Sequence, residues 1–144
     1  MYRGLLPLTF VAVTLAQVQS QEDPIQVAIK EYQTARDQGR FNEAVTKREA
    51  ARALLDKLPG DDPQFGYSVR NVAQLYQASG LPAKALAIEL RALERATDTN
   101  RAELLGMVAE SYQQDRNLLQ ALVYREKVVA ALDEAASKAA LPVE

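Results

Sequence analysis

Small residues and one large aromatic recur along the middle of this chain at intervals suited to paired helices: Ala73, Tyr76, Gly80, Ala85 and Ala92. The same pattern can be laid over the chain on either side. With Gly39, Gly80 and Arg116 aligned, Ala44, Ala85 and Ala121 each follow five residues later, and Tyr76 falls opposite Tyr112. The aligned positions stand 41 residues apart from 39 to 80 and 36 apart from 80 to 116, so the chain reads as three repeating units. Each unit is a helical hairpin, and helices are predicted near 24–38, 41–57, 63–79, 82–97, 100–115 and 118–139.

The physical need for each recurring residue can be stated. A helix that reverses within two or three residues needs a left-handed backbone, which Gly39 and Gly80 supply cheaply. Arg116 breaks the rule, so a looser or wider third turn is expected. Ala73, Ala85 and Ala92 are small because neighbouring helices converge there, and larger side chains would overpack by roughly 1 to 3 kcal/mol. Tyr76 and Tyr112 fill the wedge between units. In the first unit Tyr32 and Ala35 exchange sizes with Ala73 and Tyr76, which keeps volume while changing shape.

Helix-start signals fall where the alignment wants them. Asp23-Pro24-Ile25-Gln26 offers a capping aspartate, proline at the first helical position and a capping-box glutamine. Asp62-Pro63 repeats the first two features, and Asn100-x-x-Glu103 and Asn117-x-x-Gln120 repeat the box. The connection from Leu58 to Pro63 is dense in turn formers, and Asp61-Asp62 within it reads as turn and cap rather than a cation loop, since no alternating oxygens or closing glutamate follow.

The beginning of the chain is different. One positive charge at Arg3 precedes the apolar run Leu5 to Ala16, and a polar stretch follows to Asp23. That order predicts an export signal at 1–16, with cleavage before Gln17 or alternatively before Gln21, and a polar linker at 17–23. A helix over the run would cover about 18 Å, short of the ~30 Å hydrocarbon core, so removal is expected rather than anchoring. The expected location is the periplasm or the secreted fraction, with no membrane span after signal removal.

Composition narrows the function. The 144 residues are 48% apolar and 25% charged, the makeup of one folded domain. Formal charge is −2 with both signs interspersed, so the chain lacks the basic stripe that phosphate backbones require, and no nucleic-acid partner is expected. With no histidine and no cysteine, thiol nucleophiles, disulfides, common zinc sites and histidine bases are excluded. No phosphate loop, nucleophile elbow or metalloprotease motif is present, so no catalytic, cofactor or metal residues are assigned and the chain is not expected to be an enzyme.

Residues 59–80, continuing through Ala85, Glu89, Ala92 and Leu93, resemble the tetratricopeptide repeat (TPR), in the longer form found in kinesin light chains. Including weaker flanking units, the resemblance spans about residues 25 to 132. It implies an all-α, tetratricopeptide-type α-solenoid of about three helical hairpins (six helices) over 24–140, with units near 25–58, 63–97 and 100–136 and a tail at 141–144. It also implies that the first helix of each hairpin lines a concave groove that holds a protein or an extended peptide.

Carried over by position, the groove residues are Gln33, Tyr67, Arg70, Asn71, Gln74, Gln77, Glu110 and Gln113, with Gln26, Ile29, Arg36, Glu103 and Gly106 beside them. The resemblance implies that Asn71 bonds the backbone of a ligand, but Lys30 and Met107 hold its equivalent places, so a full asparagine ladder is missing. A carboxylate clamp for chaperone tails is missing too. What remains is rich in amides, which both donate and accept and so suit a peptide backbone. Arg70 is expected to pair with a nearby carboxylate of the same chain.

The last helix carries a broad apolar arc that includes Leu118, Leu122, Val129 and Leu132, with Leu119, Val123, Val128, Ala136 and Leu141 beside them. A terminal repeat normally turns a polar face outward, so this arc is expected to pack on something further. The alternative function is accordingly a structural or self-assembly module, a homo-oligomer or the N-terminal piece of a longer repeat protein, with an empty groove.

Overall fold

In a computed structural model, residues 22–140 are described; the predicted export segment, its cleavage points and the 141–144 tail lie outside them. Those residues form six α-helices and, among themselves, no strand: α1 (Pro24–Asp37), α2 (Phe41–Lys57), α3 (Phe65–Ala78), α4 (Pro82–Glu94), α5 (Asp98–Gln114) and α6 (Leu118–Ala139). Each of the six expected helices is present. No helix among the described residues is long and apolar enough to cross a membrane.

Consecutive helices pair as hairpins, α1 with α2, α3 with α4 and α5 with α6, and α2 packs on α3 as α4 packs on α5. The backbones of the first helices also approach one another closely, α1 to α3 and α3 to α5, whereas those of α2, α4 and α6 stand farther apart, α2 and α4 meeting through side chains such as Asp56 and Arg91 at 3.8 Å. An array whose first helices lie closer together than its second helices curves with the first helices inside. The α1–α3–α5 face is therefore the concave one.

The small residues lie where helices converge. Ala44, Ala85 and Ala121 are buried, as are Ala51, Ala73, Ala92 and Ala109. Tyr76 is fully enclosed at the α2–α3 joint: its hydroxyl donates to Glu49 Oε2 at 2.8 Å and the Arg48 guanidinium lies 4.8 Å from its ring centre. Tyr112 is half-buried and stacks on Tyr124 with centroids 5.4 Å apart.

All three hairpin turns have one geometry, which corrects the expectation of a looser third turn. Gly39, Gly80 and Arg116 take φ of 72°, 72° and 58°. The amides of Gly39, Gly80 and Arg116 donate to Arg36, Gln77 and Gln113 at 3.0, 2.9 and 3.0 Å. The amides of Arg40, Leu81 and Asn117, one residue on, donate to Ala35, Tyr76 and Tyr112 at 2.8, 2.9 and 2.9 Å. These are three copies of the paired-bond Schellman turn, and Arg116 accepts the left-handed strain because α5 and α6 must close as the other pairs do.

Two caps also differ from expectation. Asp23 caps α1 through a 2.9 Å bond from the Ile25 amide, and Asn117 caps α6 through a 3.3 Å bond from the Gln120 amide, as expected. Asp62-Pro63, however, does not start α3, which begins at Phe65; Asp62 Oδ1 instead accepts from the Gln64 amide at 2.7 Å and closes a turn of the preceding loop. Asn100 is likewise not a start residue. It sits inside α5, where its Oδ1 accepts from the Thr97 amide at 3.0 Å, so Thr97 is the cap and Asn100 the reciprocal partner.

Candidate functional site: the concave face

The sequence-predicted groove residues lie in two hollows on the concave side, joined through Gln74. The first, about 270 Å³ between α1 and α3, is lined by Gln26, Ile29, Tyr32, Gln33, Arg36, Tyr67, Asn71, Gln74, Leu75 and Ala78. The second, about 70 Å³ between α3 and α5 with α4 behind it, is lined by Arg70, Gln74, Gln77, Glu89, Met107, Glu110, Ser111 and Gln114. Gln33, Tyr67 and Asn71 thus belong to the first hollow, and Arg70, Gln77 and Glu110 to the second. Gln113 lines neither; its Oε1 accepts from Arg125 on α6.

Helix geometry explains the grouping. Tyr67, Asn71 and Gln74 recur at helical spacing on α3, so their side chains leave the same side of the helix. The opposite side of α3 carries Phe65, Val69, Val72 and Tyr76 into the core. Burial of that side fixes the orientation of the amide row.

Some groove side chains are already engaged. Arg70 pairs with Glu103 at 3.4 Å, as expected, and Gln77 Nε2 reaches Ser111 Oγ at 3.4 Å. Among the described residues, no such bond holds the side-chain amides of Gln33, Asn71 or Gln74. Gln26 Nε2, in the wall of the first hollow, is buried and has no partner among the described residues. Unengaged amides beside an exposed aromatic ring, Tyr67, can bond backbone N–H and C=O groups and stack an apolar side chain.

Glu89 was not expected at the site. It projects from the second helix of its hairpin, is 3% exposed, and among the described residues its Oε2 has no hydrogen-bond partner. Burial, reinforced by the Glu110 charge, pushes its carboxyl up to about 7, while Ser111 and the Arg70 charge pull the other way. A sequence signal was there: Arg48, Glu89 and Arg125 each follow the recurring alanine by four residues, so a charge occupies a place facing the next unit. Arg48 finds Glu49 and the Tyr76 ring, whereas Glu89 has Ser111 beside it and turns its Oε2 to the hollow.

At the other end of the molecule, Leu118, Leu122, Val129 and Leu132 are exposed. Leu132 is 54% exposed, but Leu55, at the equivalent place in the first unit, is 3% exposed because the second unit covers it. The outer side of α6 thus has the character of a joint between units.

Comparison of the chain with protein-family models, with curated proteins and with solved structures returns no match. Among the described residues no three acidic side chains come together as a metal site.

Proposed function

We propose that this chain is an exported tetratricopeptide-type scaffold that binds a protein through an extended segment laid along the concave face. The observation that carries the reading is the row Tyr67, Asn71 and Gln74, held outward by a buried helix face and bordering a hollow of about 270 Å³. Backbone amides of an extended segment need partners that donate and accept alternately, and carboxamides do both. The export signal at 1–16 and the repeat pattern belong to the same reading: the sequence supports both, and the six paired helices agree with the repeat.

A second reading has its own observation. The exposed Leu132, against the covered Leu55, favours stacking of α6 on a second copy or a further unit. The two readings separate by paired variants. Arg70→Glu with Gln74→Ala should abolish retention of a linear peptide selected on the chain while leaving light scattering unchanged. Leu122→Asp with Val129→Asp should do the opposite. Peptide retention that survives the first pair and fails with the second would sink the groove reading.

A further inference from the structure

The second hollow has features that the groove as a whole lacks. Its floor is the buried carboxylate of Glu89, whose Oε2 has no hydrogen-bond partner among the described residues while Ser111 stands beside the group, and its rim carries Glu110, which among the described residues makes no ion pair. The one cation in its wall, Arg70, is turned to Glu103. The hollow is therefore a small acidic recess. It shares Gln77, Ser111 and Gln114 with a neighbouring hollow of about 260 Å³, whose apolar wall is formed by Pro82, Ala83 and Leu86 and whose remaining lining residue is Asp115.

A carboxylate at the end of an apolar trough fits a long side chain with an aliphatic stem and a compact charged tip. At about 70 Å³ the acidic end takes an ammonium group with a water or two, whereas a guanidinium would bring five donors to a single buried carboxylate. We propose that this recess is the subsite for one lysine of the segment held by the groove, with Glu89 as its buried counter-ion and Leu86 against its stem. The assignment rests on the groove reading above. It also gives the open Oε2 of this carboxylate a donor, and the buried charge a counter-ion closer than Arg70, which is turned to Glu103.

Ammonium recognition requires Glu89 to be ionised. The groups facing it are Glu110 from α5 and Arg70 from α3, the latter paired with Glu103. With the carboxyl near 7, the lysine contribution to binding grows as pH rises through neutrality and fades below it.

The test is a double-mutant cycle on linear peptides selected from a random display library against the intact chain. Expected is a lysine at one fixed register, with about a tenfold loss of affinity when it becomes norleucine. Glu89→Gln, which removes a buried charge and should fold, causes a similar loss, and the two together lose no more than either alone. Selected peptides with no fixed lysine, or additive losses, overturn the subsite while leaving the groove reading intact. If no linear peptide is selected, the groove reading fails. The recess is then judged by n-butylammonium: a shift of the Met107 methyl resonance seen in the wild type and absent in Glu89→Gln upholds its chemistry, and an equal shift in both, or none, overturns it.

Discussion

The Asn100 side chain ties two units together: its Nδ2 donates to the Gly60 carbonyl at 2.7 Å, across 40 residues, while its Oδ1 holds the Thr97 amide at 3.0 Å. One amide thus caps its own helix and anchors the loop that leaves the previous hairpin. Asn100→Ala should destabilise the chain by about 2 kcal/mol in urea unfolding, the sum of a lost cap and a buried carbonyl left without its donor. Asn100→Asp keeps the acceptor of the cap but sets a carboxylate oxygen against the Gly60 carbonyl, so its deficit should be at least as large.

The same loop makes a steric prediction. A Cβ on Gly60 would run into the carbonyl oxygen of Arg95, whose guanidinium in turn donates to the Leu55 and Leu58 carbonyls at the end of α2. Because the obstacle is backbone, Gly60→Ala should cost roughly 1 to 3 kcal/mol. Gly106, in the middle of α5, meets nothing within 4 Å, so Gly106→Ala should add about 0.5 to 1 kcal/mol. Thermal melts of the two variants should move in opposite directions.

Arg116 holds a φ of 58° at a place where the other two units use glycine. Arg116→Gly relieves that strain and should stabilise by about 1 kcal/mol, and Gly80→Ala should cost about as much. An Arg116→Gly variant less stable than the parent would mean that the arginine side chain contributes something the turn geometry does not require.

Glu89 sets a pH dependence in the unliganded chain. Its carboxyl rises from 4.5 to about 7 on folding, so between those values the folded state binds the extra proton. Stability from this group is therefore greatest at low pH, falls as pH rises toward about 7 and levels off above it, by on the order of 2 to 3 kcal/mol. Other carboxylates titrate too; that of Asp98 is held below its usual range by Lys138, which tilts stability the other way. The measurement is thus a difference: wild type minus Glu89→Gln, by urea unfolding at pH 5 and pH 8, should show the decline.

The hairpins were legible in the sequence because alanine and glycine mark positions where only small or left-handed residues fit, and local chemistry reports local geometry. Asp62-Pro63 misled for the opposite reason. Its cap signals are real, but the loop must bring Gly60 under Arg95, and the Asp62 carboxylate is used to close that loop before α3 starts. Asn100 read as a cap because its contact with Gly60, 40 residues away, leaves no local trace.

The candidate site divides in the same way. Tyr67, Asn71 and Gln74 followed from helical spacing, since one buried face dictates what the other exposes. Glu89 enters the repeat pattern only as a fold position. That it would be buried with its Oε2 left open depends on α5 crossing above it, which no local pattern encodes.

The most direct measurement of the central claim is an NMR titration of the chain with a selected linear peptide, following side-chain amide resonances. Asn71 and Gln74 should shift and saturate together with Gln33, while α6 amides stay unmoved. Shifts confined to α6, or none on α1 and α3, would contradict it.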